Sequence, residues 1–388
     1  MRFLHTSDWH LGRSFHGVGM LEAQRSFIDQ LVETVRNSAV DVVLVSGDVY
    51  DRALPGVDVV RLLNEALVRL RAVGASVVIS SGNHDSAVRL GFGSGIMERG
   101  GVHLRTTVSE LARPVIFRGA AFEVAVYGVP YLEPRLCAQE LVAEPHHAAV
   151  TGSALSRVRE DLAARRQQCP DTVIHSIVMA HTFASGGITS ESERDLSVGG
   201  VGAVPLDLFD DFSYSALGHL HGQQRLSDSV RYSGSPLPYS FSEARQIKGG
   251  YVVDVDHSGV TSVEPVSWSA LKPLAVLKGT LEDILSNPDY VPEQEAYCQV
   301  TLTDRQRPAK AMETVRTRFP DTLVLAFAPE GGAPAQQATY SQKLAEAEND
   351  LDVCCGFLEH VRSREASTEE AETLTRVLET VRSSEVGA

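Results

Sequence analysis

Apolar and polar positions in the first hundred residues switch repeatedly between two periods. Short apolar runs at Arg2–Thr6, Val42–Val45 and Ser76–Ser80 are strand-like. Between them, apolar residues recur every three to four positions over Leu21–Asn37 and Val57–Val73. Strands separated by helices need crossover connections, so the pattern predicts an α/β sheet. Each strand runs into a polar loop: SDWHLG, SGDVYD and SGNHDS. In open α/β sheets, ligands lie at the C-terminal ends of the strands, where these three loops would converge.

Further along, Glu123–Val129 alternates like a strand and Leu155–Gln168 reads as a helix. Val173–Ala180 is a strand that ends in His181. A Gly/Ser-rich loop, Ala184–Gly202, leads to a strand at Tyr214–Leu217 that ends in GHLHG. Strands at Tyr251–Val255 and Val260–Val266 close the unit. Around Lys272 the pattern restarts. Strands at Leu274–Lys278, Tyr297–Leu302 and Thr322–Phe327, with helices at Leu281–Leu285 and Lys310–Phe319, predict a small α+β unit. GGAPAQQA, Gly331–Ala338, has the composition of a linker. Beyond it Leu344, Ala347, Leu351, Cys354, Leu358 and Val361 repeat at helical spacing, followed by Leu374, Val377, Leu378 and Val381. Apolar stripes on charged helices need a surface to cover: the body of the same protein, or a partner helix. The expected organisation is a body over 1–270, a small α+β unit over 271–330, a linker over 331–339 and a helical tail over 340–388.

A chain of 388 residues exceeds one ordinary core, in keeping with several units. There is no run of ~18 apolar residues and no apolar signal core at the start, so neither a membrane span nor secretion is expected. Five scattered cysteines without a CxxC pair suit free thiols in a reducing cytosol. The net charge is −15, and the segment from Tyr340 onward carries eleven acidic against five basic residues. Nucleic-acid backbones are gripped by Lys and Arg. With no basic patch of its own, the chain would need a partner to supply part of any hold on DNA.

The candidate chemistry lies in five elements: Asp8-x-His10, Gly47-Asp48, Gly82-Asn83-His84-Asp85, His181, and Gly218-His219-x-His221. Each alone is weak. Together, two carboxylates, four imidazoles and a carboxamide at strand ends suit a pair of borderline divalent ions such as Mn²⁺, Fe²⁺ or Zn²⁺. No cysteine joins them, which argues against a structural zinc site. His5, inside the first strand, is expected in the core.

The five elements in this order resemble the calcineurin-like metallophosphoesterase superfamily. HTSDWHLGRSFHG, GDVYDRALP and SSGNHDS are similar to its SbcD branch, the nuclease subunits of SbcCD-type complexes in double-strand-break repair. The resemblance implies a two-sheet β-sandwich flanked by helices, with a small DNA-contacting capping domain after residue 270 and a helical tail. It implies that Asp8, His10 and His221 hold one ion and Asn83, His181 and His219 the other, with Asp48 bridging. His84 would serve as general acid or charge stabiliser, with Asp85 orienting it or acting behind it. Arg13, His16, Arg52 and Arg89, in or just after the metal loops, are candidates for DNA phosphates. The implied cofactor is a pair of divalent ions, Mn²⁺ foremost. The implied activity is double-strand exonuclease and single-strand or hairpin endonuclease in DNA repair, replication and recombination. Duplex-end cutting would depend on ATP through an SbcC-like coiled-coil ATPase, since the chain has no GxxxxGK[ST] loop. A homodimer within a heterotetramer and a cytoplasmic, nucleoid-associated location are implied too.

Two other functions stay open. A metallophosphatase or cyclic-nucleotide phosphodiesterase would use the same motifs, although a compact one would not need the extra unit and tail. A non-catalytic scaffold for a DNA-tethering ATPase would not need the full set of ligands. GDVYDR also resembles the GDxxDR element of protein Ser/Thr phosphatases, but those continue with GNHE where this chain has Asp85, so the Asp51-Arg52 match is read as local.

Overall fold

The computed structural model describes residues 1–193, 202–329, 350–362 and 366–385. Two six-stranded mixed sheets form the body. The first has the order Gly259–Ser267, Gly249–Asp256, Arg2–Thr6, Val42–Ser46, Ser76–Ser80, Val102–Arg105; its last four strands are parallel and its first two antiparallel. The second has the order Gln224–Arg225, Val230–Tyr232, Tyr214–Gly218, Val173–His181, Phe122–Gly128, Val115–Arg118, with its four central strands parallel.

The period of two in the strands explains the layering. Phe3, Val42, Leu44 and Val78 of the first sheet meet Val124, Val126, Ile177 and Met179 of the second in one core. The alternate residues face outward, where Leu4, Val43, Val45 and Val77 pack against Phe27, Ile28, Leu31 and Val35 of the helix Leu21–Asn37 and Leu62, Ala66 and Leu70 of Val57–Ala72. On the far side Tyr127 and Val178 pack against Val150, Leu155 and Val158 of the helix His147–Gln168. Strands covered on both faces read as continuous apolar runs, as VVLVS of Val42–Ser46 does. Each fully buried Leu, Ile, Val or Phe contributes about 1.5–3 kcal/mol, so these helices hold the strand ends in register.

A third sheet, Leu274–Gly279, Tyr297–Leu302 and Thr322–Phe327, is all parallel. Its helix Leu281–Ser286 starts with a capping box between Thr280 and Asp283. The sheet rests on the body through Phe15, Met20 and Phe241, against which Leu274 and Tyr297 pack. Residues 1–302 and 307–327 form one compact unit. The second unit, residues 303–306 and 328–388, contains the helices Asp350–Arg362 and Thr368–Glu385, which pack on each other. The linker Gly331–Ala338, Leu344 and Ala347 lie outside the described residues. Among the described residues no helix is long and apolar enough to cross a membrane.

Elements not anticipated from sequence include the strands Val102–Arg105, Val115–Arg118, Gln224–Arg225 and Val230–Tyr232 and the helix Pro134–Leu141. The long helix also begins at His147, eight residues before the expected Leu155.

Candidate metal centre

Asp8, His10, Asp48, His84, His181, His219 and His221 are all buried. The loops after three adjacent parallel strands of the first sheet bring Asp8 and His10, Asp48, and Asn83 to one end. The ends of two adjacent parallel strands of the second sheet bring His181 and His219-x-His221 to the same place. Three groups converge with ligand atoms within 4.8 Å of one another: Asp8, His10 and His221; His10, Asp48 and His84; Asp8, Asp48 and His181. Asp8, His10 and Asp48 each belong to two of them.

The local backbone explains how the loops turn their side chains inward. Asp8, His10, Asp48 and His219 all have positive φ (53°, 43°, 43° and 108°). Such conformations cost about 1–3 kcal/mol each in non-glycine residues and cluster at functional sites. Their neighbours make room: a Cβ on Gly47 would run into the His181 ring, and one on Gly82 into the Asp48 carboxylate. Between Asp8 and His10, Trp9 turns the other way. It packs on Phe27 with ring centroids 5.5 Å apart and donates from its indole N–H to Thr6 Oγ1 at 3.1 Å.

The donor set fits bound cations. His181 Nδ1 donates to the Ser46 carbonyl at 3.1 Å, and its Nε2 lies 2.9 Å from Asn83 Oδ1 and 3.4 Å from Asp48 Oδ2. Burial disfavours a charged His181, but Asp48 and Asp8 outweigh it and raise its pKa to about 9. The site thus favours positive charge where Nε2, Asn83 and Asp48 meet, and these three residues could hold a divalent ion in place of that proton. On the other side His10 Nε2 and His221 Nε2 face each other at 3.1 Å. With both nitrogens unprotonated neither can donate to the other, and the pair would be able to hold a cation. Burial raises the Asp8 carboxyl to about 6, opposed by His181 and His221. Burial also opposes ionisation of Asp48, yet the imidazoles of His181, His10 and His84 hold its carboxyl well below the usual range. Burial lowers His10 and His219 well below the ordinary imidazole value, which leaves them neutral and able to ligate.

His84 Nδ1 lies 2.9 Å from the Asp51 carbonyl, and its Nε2 is 4.0 Å from Asp48 Oδ2. Asp85, expected to orient His84 or to act behind it, holds the loops. Its carboxylate accepts N–H bonds from Val49 (3.1 Å), Tyr50 (2.9 Å) and Gly82 (2.9 Å). It therefore ties the Asp48 loop to the Asn83 loop. The Asp51 carboxylate, read as a local coincidence, lies 3.7 Å from His10 Nδ1 and 3.8 Å from His84 Nδ1.

The four candidate DNA contacts divide. Arg13 is engaged: it donates to the Ser192 carbonyl at 2.8 Å and lies over the Tyr239 ring. His16 is exposed beside Phe15 and Phe241. Arg52 has a side chain 78% exposed, and Arg89, also exposed, donates to the Ala53 carbonyl at 3.2 Å. His5 is buried, as expected, between Tyr214 and the Leu217 carbonyl.

Sequence reasoning missed the residues behind the ligands. Gln24 on the first helix donates to the His10 carbonyl at 2.8 Å and accepts from Gly12 N–H at 2.9 Å. Tyr239 donates to the Trp9 carbonyl at 2.6 Å. Ser192, Glu193, Glu243 and Lys248 gather around His221. A glutamine within an otherwise apolar helix stripe is a faint signal for the first, and sequence offered none for the others.

Residues 1–222 match the calcineurin-like phosphoesterase family, and the chain belongs to it. Residues 270–376 match the SbcD C-terminal domain, described as the type 5 capsule protein repressor C-terminal domain. The pair of matches defines an SbcD-type member of the family. Similar solved structures include TT1561 of Thermus thermophilus (13% identity over 69% of this chain and 98% of that one, TM-score 0.38). A dimetal phosphatase from Danio rerio is another (13%, 69% and 99%, TM-score 0.42). A third is GAP50, the anchor in the inner membrane complex of Plasmodium (12%, 86% and 98%, TM-score 0.38). No role is carried to this chain from these distant likenesses.

Proposed function

We propose that the chain is the nuclease subunit of an SbcCD-type complex that hydrolyses DNA phosphodiesters at a two-ion centre. The observation that carries this reading is the coexistence of a buried phosphoesterase donor set with an SbcD-type C-terminal domain in one chain. The donor set alone would equally serve a phosphatase or cyclic-nucleotide phosphodiesterase.

Asp8, His10 and His221 would hold one ion, Asn83, His181 and His219 the other. Asp48 would bridge, a role supported by its Oδ2, which lies 3.7 Å from His10 Nε2 of one half and 3.4 Å from His181 Nε2 of the other. When bound, manganese or a similar ion pair supplies Lewis acidity toward phosphate oxygens and lowers the pKa of a water. His84, held by the Asp51 carbonyl, is oriented to donate a proton to the leaving oxygen or to stabilise its charge. Asp85 positions the two loops. Arg52 and Arg89, both exposed near the site, would contact phosphates.

The partners follow from what the chain lacks and what it exposes. An acidic chain without a phosphate-binding loop needs an SbcC-like ATPase for ATP-driven duplex-end cutting, and the tail is its docking arm. Phe357 and Val377, on the two tail helices, are each about half exposed. For a homodimer, Phe27, Ile28 and Leu31 of the first helix and Leu62 and Leu67 of the second are already buried in the body, while Val60 and Val68 of the second are 45% and 59% exposed. Leu54, Val57, Val88, Phe92 and Ile96 are 68–85% exposed, and a second copy of the chain would cover such apolar surface. A cytoplasmic, nucleoid-associated location follows from the same reading.

The test is a manganese-supported assay on hairpin and blunt duplex DNA beside p-nitrophenyl phosphate esters, with and without the partner ATPase. Hairpin cutting by the chain alone, and duplex-end cutting that needs partner and ATP, are expected. Turnover of the small esters with no cutting of either DNA would favour the phosphatase, and no turnover of any substrate the scaffold.

A further inference from the structure

The two halves of the centre hold their histidines differently. His181 Nδ1 donates to a backbone carbonyl. His221 Nδ1 lies instead 2.6 Å from Ser192 Oγ and 3.4 Å from Glu243 Oε1, and Ser192 Oγ also donates to Glu243 Oε1. A carboxylate only accepts, so the single hydroxyl proton of Ser192 goes to Glu243. The hydroxyl oxygen then accepts from His221 Nδ1–H, and Nε2 is left unprotonated, facing His10 and Asp8. The carboxylate is in turn fixed from behind. Lys248 Nζ donates to Glu243 Oε2, to the His221 carbonyl (2.8 Å), to Ser235 Oγ (3.1 Å) and to Gln246 Oε1 (2.9 Å). Glu243 and Lys248 are 1% and 6% exposed. Such a buried pair adds little net stability, because desolvation offsets its attraction. Its geometry serves His221 at two points, the imidazole and the carbonyl, and Glu193 separately accepts the His221 backbone N–H at 2.7 Å.

We infer that Glu243, braced by Lys248 and relayed through Ser192, is a positioning residue that sets the tautomer and aim of His221. It thereby governs uptake of the ion held by Asp8, His10 and His221 and not of its neighbour. The inference rests on the two-ion reading above. Arg13 extends the brace to the His10 loop by donating to the Ser192 carbonyl. Both histidines of that half thus answer to one short segment, Ser190–Glu193, whose Ser190 Oγ also donates to Glu243 at 3.2 Å.

The experiment titrates the full, metal-stripped chain with Mn²⁺ and follows free and bound ion by electron paramagnetic resonance. The wild type is expected to take up two ions per chain and to give a spin-coupled signal at two equivalents. Glu243→Gln, close in shape, is expected to keep one ion at wild-type affinity and to bind the other about 10–100-fold more weakly, the scale for the outer partner of a metal-bound histidine. At two equivalents its spectrum becomes that of isolated ions. Ser192→Ala, which leaves the Glu243–Lys248 pair intact, shifts the same ion in the same direction and decides the matter if Glu243→Gln does not fold. Equal weakening of both ions with a lower melting temperature would make the network mere packing and overturn the inference. Unchanged uptake of two ions by both variants would overturn it while leaving the two-ion reading in place. A wild type that takes up fewer than two ions would remove both.

Discussion

The two sheets bring most of their ligands to the centre by different means, although His219 of the second shares the positive φ of the first sheet's turns. The first sheet uses its backbone: Asp8, His10 and Asp48 sit on short turns with left-handed dihedrals, tied together by Asp85 and Gln24. The second sheet places His181 at the end of a regular strand and His221 just beyond another, then aims their rings through Nδ1, with a carbonyl for one and a hydroxyl–carboxylate relay for the other. Strained turns fix where a short side chain can be. The imidazoles of His181 and His221 are held at their second nitrogen as well, whereas His10, whose Nδ1 has no hydrogen-bond partner among the described residues, relies on its turn.

The contrast can be broken most severely at Asp48. Asp48→Ala should lose both ions and all hydrolysis, because one carboxylate serves two clusters. Metal content by mass spectrometry after dialysis checks it, and two retained ions with full activity would remove the bridging role. His84 comes next. His84→Gln should keep its ions and cut at least ~10²-fold more slowly, the scale of a lost acid–base group. Because His84 lies within ligand reach of His10 and Asp48, loss of an ion from this variant would make it a ligand. Asp85→Ala probes the backbone strategy itself. Three N–H groups lose their acceptor, so urea unfolding of the metal-free chain should fall by about 1–3 kcal/mol. Unaltered stability would mean that the turns hold themselves. The smallest effect on partner-free cutting is expected from removing everything after Ala338. Truncation there, or Leu351→Asp with Leu358→Asp, should leave the manganese-supported rate unchanged and weaken pull-down of the ATPase. A truncated chain that loses its partner-free rate and its fold yet still binds the ATPase would assign the tail to the body.

What sequence reveals follows the same division. The turns of the first sheet are local: Gly, Asp and His lie within a few residues of one another at the end of an apolar run, so SDWHLG, SGDVYD and SGNHDS identify themselves. The strand Arg2–Thr6 and helix Leu21–Asn37 were readable at their observed limits because their periods are clean. Val102–Arg105 and Val115–Arg118 escaped because four residues are too few to establish a period. The long helix hid its start because its cap is His146, whose ring accepts the Ala149 N–H in place of a Ser, Thr or Asp. Glu243 and Lys248 could not be found because they approach His221 only in three dimensions, 22 and 27 residues along the chain.

The antiparallel neighbour of the first strand, Gly249–Asp256, comes from the far end of the body, and the Met1 amine donates to the Val255 carbonyl at 2.8 Å. During synthesis, Arg2–Thr6 therefore leaves the ribosome some 250 residues before its partner. Until that partner arrives, an apolar strand has one unpaired edge, the kind of template that recruits foreign strands. The last metal ligand and its brace, His221 and Glu243, precede the closing strand by only a few turns of chain. Pairing of the first strand and completion of the donor set thus fall within the same short interval of translation, so a nascent chain has little time with its first sheet closed and its metal site incomplete.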